Sequence, residues 1–426
     1  PLYSSAASDV YKRQVYGKTE TSHMTIKTGK GTISLAVLLA IWSVSAVVSL
    51  PGLAISPILG DLNTIFPKAG DLEIQMLTSL PSLLIIPFVL LSGRLSVGSN
   101  KTRILAAGLS IFLLSGIACF FAESMAALIV ISCILGVGAG MVIPLSTGLV
   151  VDYFTGDYRV RQLGISSAIN NLTLVLATSL TGYLATKDWH LSFLVYTLPA
   201  VSLMLLPFLH RQKSAPEPAG SDQLRQTAID RRKLAGLMML YFFITYSVLV
   251  ITFYASFLID RYKIDSSFSG FMISAFFLAI MLPGFFVNGI IRLLKSNVNV
   301  VSLAAIAAGL AMIGIFRSPY MLLAGSVLAG LGYGIMQPII YDKAAVIAPP
   351  RLATLALSFV MAVNYLSVMV CPFIVDSFRW LLHAHGERFP FVFNAALTVM
   401  VFIAAWIGRN GYTFGLDRSY YGKKRN

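Results

Sequence analysis

Gly136-Val-Gly138-Ala-Gly140-Met-Val-Ile-Pro144 and Gly330-Leu-Gly332-Tyr-Gly334-Ile-Met-Gln337-Pro338 are one pattern, G-x-G-x-G-x-x-x-P, written twice at a displacement of 194 residues. A second pair keeps the same displacement: Ala168-Ile-Asn170-Asn171-Leu172 matches Ala362-Val-Asn364-Tyr-Leu366. Between these pairs, Asp152 and Arg161 correspond to Asp342 and Arg351 at a displacement of 190, a loop difference of four residues. A single glycine pattern would be weak, because glycine is common in membrane helices. Collinear matches at one offset indicate a duplicated unit.

Both copies sit inside long apolar runs, and the rest of the chain is built the same way. A helix needs about 20 apolar residues to cross a hydrocarbon core of about 30 Å. Twelve stretches satisfy this: 33–59, 72–93, 102–121, 126–151, 163–185, 190–209, 234–258, 268–291, 298–316, 320–341, 352–375 and 390–408. The 426 residues are 57% hydrophobic and 12% charged, against about 25% charged in soluble domains. That balance excludes an ordinary soluble domain and a disordered chain. Cys119, Cys133 and Cys371 all fall in apolar runs, with no disulfide or metal-ligand spacing, so no metal site is expected.

The net charge of +14 is a question of placement. With the N-terminus inside, 22 of the 32 lysines and arginines lie in inner loops and tails, 7 in outer loops, and 3 before Met24. The positive-inside rule then puts both termini in the cytoplasm. It also argues for a membrane partner and against nucleic acid. Residues 1–23, which include Asp9-Val10-Tyr11-Lys12-Arg13-Gln14, read as an adaptor-derived tail, with the natural start expected at Met24. Two six-span units follow, 24–209 and 234–408, joined by a polar cytoplasmic linker at 210–233 and closed by a tail at 409–426. The fold class expected is an all-α membrane protein of twelve helices in two pseudosymmetric six-helix bundles.

On these features the chain resembles the major facilitator superfamily from Met24 onward. Gly93-Arg94-Leu95-Ser96 through Lys101-Thr102-Arg103 stands where that family has a glycine-and-basic loop motif, with Val97 and Asn100 in place of its aspartate and second glycine. The glycine-rich fourth span running into Asp152-Tyr153-Phe154 and Arg159-x-Arg161, the segment Ser166 to Leu172, and Trp189-His190-x-x-Phe193 are similar to the multidrug and siderophore exporter branch. The Gly-Pro of the antiporter motif is not kept; Ala177-Thr178 falls there. The resemblance implies alternating access by two rocking halves, a small-molecule substrate, protons as coupling ion, a monomer, and a bacterial inner membrane.

Site candidates come from polar residues inside the spans, since such groups at membrane depth are costly. Asn170 and Asn171 in span five, Asn364 in span eleven, Gln337 and Tyr341 in span ten, Trp42 in span one, and Tyr241 and Tyr246 in span seven are the expected substrate contacts. Gly93, Arg94, Lys101, Arg103, Asp152, Arg159, Arg161, Asp342 and Arg351 are the expected gating residues at the cytoplasmic ends, with Asp152 pairing Arg159 or Arg161, and Asp342 pairing Arg351. Asp61, Glu73 and Asp376 are weaker coupling candidates at span mouths. With no acid or base left for the membrane interior, the cavity suits a neutral or amphipathic compound, exported or, alternatively, taken up as a nutrient. No phosphate-binding loop, nucleophile elbow or zinc-protease motif is present, so neither a catalytic role nor a cofactor is expected. A membrane sensor or embedded enzyme is the distant alternative, and the repeat argues against both.

Overall fold

The computed structural model describes residues 25–51, 54–55, 58, 62, 65–67, 71–98, 100–185, 187–211, 228–264, 267–384, 386–408, 412–413 and 416–417. Twelve α-helices lie among them: α1 Leu35–Ala46, α2 Asp71–Gly98, α3 Lys101–Phe120, α4 Met125–Tyr153, α5 Gly156–Ala185, α6 Pro199–Arg211, α7 Arg231–Arg261, α8 Ser267–Leu294, α9 Val298–Ile315, α10 Pro319–Val346, α11 Ala353–Leu381 and α12 Phe389–Ile407. Eleven of the apolar helical stretches are long enough to cross a bilayer. Residues 1–24, the linker core 212–227 and most of the tail beyond 408 lie outside the described residues.

Two expected spans differ from their reading in sequence. The run 33–59 is not one helix: α1 has 12 residues and gives way to turns from Val47 onward. Pro51 disfavours the helical conformation at Leu50 and has no N–H to continue the ladder. The run 190–209 is a 3₁₀ turn over Trp189–Thr197 followed by α6. Pro199, which needs no N–H at a first helical position, starts the regular helix. Asp188 caps the 3₁₀ segment, accepting from the His190 N–H at 2.9 Å, and that bond holds its exposed carboxyl below the usual range. Prolines inside α2, α4, α8, α10 and α11 are tolerated because neighbouring helices serve the freed carbonyls.

The duplicated glycines hold the same positions in space that they hold in sequence. A Cβ on Gly136 would stand 2.6 Å from the Pro81 carbonyl oxygen of α2, and one on Gly140 2.9 Å from that of Ile85. The middle glycine turns to α3, where a Cβ on Gly138 would stand 2.6 Å from the Phe112 nitrogen and 2.8 Å from the Gly108 carbonyl oxygen. In α10, Gly330 meets Phe276 at 2.6 Å and Gly334 meets Ile280, both on α8, while Gly332 meets Ser302 at 2.6 Å and Ile306 at 3.2 Å on α9. Ser302 and Ile306 lie 194 residues after Gly108 and Phe112; Phe276 and Ile280 lie 195 after Pro81 and Ile85. Each G-x-G-x-G thus lets two neighbouring backbones approach one helix from two sides, which is how apolar helices associate when lipid removes the hydrophobic drive between them.

Packing follows the same division. One apolar cluster is drawn from residues 33–209 with Met361 and Ala362, the other from 234–405 with Val160. Between them the helix pairs in contact include α5 with α8, α2 with α11, α4 with α11, α5 with α10 and α4 with α10. Large apolar side chains such as Phe121, Met204, Leu293 and Trp380 are exposed, as expected of a surface solvated by lipid rather than water.

Gly138→Ala and Gly332→Ala should each destabilise the folded protein by about 1–3 kcal/mol through overpacking. Gly289→Ala, where a Cβ meets nothing within 4 Å, should not. Thermal unfolding of detergent-solubilised variants followed by size exclusion checks this; equal midpoints for all three would remove the seam.

Candidate functional site

A cavity of about 80 Å³ lies between the two sets of helices. One wall is hydroxylic, with Ser45, Ser49, Ser146, Thr147, Ser166, Ser167 and Asn170. The other carries Gln337, Tyr341, Asn364 and Tyr365, with Met361 beside them. Among the described residues lining the space there is no carboxylate, ammonium, guanidinium or imidazole. Its volume is below the roughly 300–1,000 Å³ of ligand pockets, so a ligand has to widen it.

The two asparagines that match in sequence also match in their bonds. Asn170 on α5 accepts from the Ser49 N–H at 2.9 Å and donates to its hydroxyl at 2.6 Å, which ties α5 to the segment after α1. Asn364 on α11 accepts from Thr245 of α7 at 3.1 Å and from Tyr333 at 3.5 Å. In each half the amide ties the fifth helix to the first span, at the turn after α1 in one and at α7 itself in the other. Behind Tyr341, the Tyr241 hydroxyl bonds those of Tyr341 at 2.7 Å and Tyr333 at 3.2 Å, and Gln337 donates to Tyr241 and Tyr341 at 3.3 and 3.4 Å.

Of the expected substrate contacts, Asn170, Gln337, Tyr341 and Asn364 line the cavity. Tyr241 stands one layer behind, fully buried. Trp42 donates from Nε1 to Gln162 at 3.0 Å, and Asn171 donates to the Ser167 carbonyl at 2.8 Å within its own helix; neither lines the cavity. Tyr246 does not reach it either: its ring stacks on Phe242 and the Cys371 thiol lies 3.8 Å from its carbonyl oxygen. Helical rotation explains this, since Tyr246 follows Tyr241 by five residues, about 140° around α7. Ser45, Ser49, Ser146, Thr147 and Ser167 were not singled out in the sequence; single hydroxyls in an apolar span satisfy themselves on the preceding turn and leave no pattern.

The gating pairs expected from the sequence are re-partnered. Asp152 accepts from Lys101 at 2.7 Å rather than from Arg159 or Arg161, because the end of α4 lies beside the start of α3. Arg159 instead crosses to Asp342 of α10 at 2.5 Å, both groups buried, and Arg351 is exposed in a 3₁₀ turn rather than paired with Asp342. Gly156, at φ 56, reverses the chain between α4 and α5 and brings the first turn of α5 to the other half. There Asp157 also receives Arg292 at 2.9 Å and, on its carbonyl, Asn288 at 2.7 Å. Gly93 abuts Ser358, and Gly164 and Gly284 face one another across α5 and α8. Arg94, Arg103 and Arg161 are exposed. Asp376 is exposed on α11, Asp61 lies outside the described residues, and Glu73 lies in α2 with its side chain outside them. All these cross-contacts lie at the helix ends where basic loops concentrate.

A family model described as Major Facilitator Superfamily matches residues 33–372 and 234–413. The multidrug transporter protein MdtP of Bacillus subtilis (strain 168) is 26% identical over 170 residues, 40% of this chain and 30% of that protein. The uncharacterized MFS-type transporter YceJ of the same organism is 29% identical over 168 residues, 39% of this chain and 42% of that one. The matches thus span less than half the length of these curated relatives. Among solved structures, the proton:xylose symporter XylE superposes with a TM-score of 0.70 at 12% identity, covering 92% of this chain and 98% of that one. The human organic anion transporter MFSD10 gives 0.65 at 17%, covering 87% and 97%. At these identities the likeness is one of fold.

Removing one member of the Arg159–Asp342 pair strands a buried charge, so Asp342→Asn should cost about 3–5 kcal/mol of stability. The double variant Arg159→Met, Asp342→Leu should recover most of it. A thermal double-mutant cycle decides; additive losses would mean the two groups do not act as a pair.

Proposed function

The chain belongs to the Major Facilitator Superfamily, and from that premise we propose that it exports a small neutral or amphipathic compound by alternating access. It is a transporter, not an enzyme, and a multi-pass membrane protein working in a lipid bilayer on small molecules. The observation that carries the substrate class is a cavity wall whose described residues offer amides, hydroxyls and phenols and no ionic side chain. A dicarboxylate or phosphate would need arginine there, and a strong cation would need a carboxylate. Multidrug relatives from Bacillus subtilis support the outward direction and a bacterial cell membrane.

Residues 24–209 and 234–408 act as the two rocking units, joined by 210–233, with both termini in the cytoplasm and the protein working as a monomer. Asn170 and Asn364 contact substrate with Gln337 and Tyr341. The Arg159–Asp342 and Asp157–Arg292 pairs form the cytoplasmic latch, and Lys101–Asp152 stiffens the end of α4 beside it. Proton exchange drives the cycle.

Cells expressing the protein should accumulate less of a neutral aromatic antibiotic than empty-vector cells, and an uncoupler should abolish the difference. In proteoliposomes, Asn170→Ala and Asn364→Ala should each raise KM by about two- to tenfold, the value of one hydrogen bond to a neutral group, at unchanged protein level. Unchanged KM with lowered protein level would make both asparagines purely structural. Accumulation that rises with expression would reverse the direction.

A further inference from the structure

α5 and α10 are joined across the halves at two levels. At the helix ends, Arg159 pairs with Asp342. In the cavity, the Ser167 hydroxyl donates to Gln337 Oε1 at 2.5 Å. Ser167 lies eight residues after Arg159 on α5, and Gln337 five before Asp342 on α10; at 1.5 Å per residue the two contacts stand about 7–12 Å apart along the seam. Among the described residues lining the cavity, Ser167 and Gln337 form a direct hydrogen bond from one wall to the other. Gln337 is held by nothing stronger on its own side than the 3.3 and 3.4 Å bonds to Tyr241 and Tyr341.

We propose that the Ser167–Gln337 bond is the ligand sensor of the transporter, a clasp that substrate replaces, loosening the α5–α10 seam and with it the Arg159–Asp342 latch. The reading rests on the proposed substrate class and narrows it. A ligand that displaces this bond has to accept from Ser167 and donate to Gln337 Oε1 at the same place. An amide, a lactam or a pair of neighbouring hydroxyls does both through one edge. A quaternary ammonium or phosphonium ion has neither function and leaves the buried Ser167 and the half-buried Gln337 unpaired, which costs more than the lost bond is worth. The cavity is too small for such an edge while the clasp is shut, so binding and separation of the helices are one event. A ligand shifts a conformational equilibrium only by its differential contact with the two states, and here the contact exists only with the clasp open.

The test uses full-length protein in nanodiscs, with Cys119, Cys133 and Cys371 replaced and spin labels at the exposed positions Leu95 and Leu293 on opposite halves. Ser167→Ala without ligand should raise the population with separated ends by about two- to tenfold, the equilibrium value of one hydrogen bond, and Ser167→Thr should restore the closed population. Chloramphenicol, a neutral aromatic amide with two hydroxyls, should open the wild type and add little to Ser167→Ala. Tetraphenylphosphonium should open neither. An unchanged population in Ser167→Ala overturns the clasp, whatever is transported. Equal opening by the phosphonium ion overturns the donor–acceptor requirement. If Ser167→Ala opens as expected while liposomes show no flux of any neutral amide, the clasp stands and the proposed substrate class falls.

Discussion

Close approach of backbone to backbone is the constraint on which this molecule depends. In lipid, leucine on one helix gains little by leaving tails for another helix, so association rests on how near the helices come. The glycine triplets of α4 and α10 set that distance, letting α2 with α3, and α8 with α9, lean on a single helix from two sides. Each triplet is followed by a proline four residues on, at Pro144 and Pro338, just where the helix turns from packing its own half to facing the other. Beyond that proline stand the cavity residues Ser146 and Thr147 in α4 and Tyr341 in α10. The packing motif and the site are therefore successive parts of one helix, and the motif holds the site in place.

The seam between halves is built by a different rule. Within a half, helices meet through glycine and carbonyl contacts spread along their length. Across the halves the polar contacts among the described residues include a buried ion pair, an arginine and an asparagine on Asp157, and a serine on a glutamine. Each can be unmade by exchanging one partner for water or ligand. A contact set of this kind suits surfaces that separate during a cycle, whereas glycine seams do not come apart without losing the fold. The small-residue contacts that do cross the seam, Gly93 on Ser358 and Gly164 on Gly284, bring α2 to α11 and α5 to α8 close enough for those bonds to form.

Helix number, the duplication and the mirrored asparagines were legible in the chain because each leaves a periodic or repeated mark. Asn170 and Asn364 each use the amide oxygen as acceptor, from the Ser49 N–H and from the Thr245 hydroxyl. Charge partners were not legible. Pairing Asp152 with Arg159 is natural along the chain, but Gly156 turns α5 away and gives Arg159 to Asp342. Which residues meet across a seam depends on helix rotation, and no local pattern encodes it. The direction of Tyr246 is hidden for the same reason, five residues being nearly half a turn from Tyr241. Hydropathy counts Leu50 and Pro51 as part of one apolar run, whereas the backbone ends the first helix before them.

The halves that match so closely in packing differ in the cavity, and the difference bears on mechanism. Thr147 of the first half corresponds to Tyr341 of the second, and Ser45 to Tyr241 at a displacement of 196. One wall is made of short hydroxyls close to their own helices, the other of long phenols tied into a network through Tyr241. Short hydroxyls bend back on the preceding turn, as Ser45 does on Ile41, and can turn to a ligand at little cost. The tyrosine network is buried at Tyr241 and Tyr333, half-buried at Tyr341 and mutually bonded, so it gives a fixed aromatic face. To the proposed substrate such a pair of walls offers a flat aromatic face on one side and adaptable polar groups on the other. Duplication supplied two equal scaffolds, and divergence of the walls removed the two-fold symmetry that would otherwise let a ligand bind equally in two orientations.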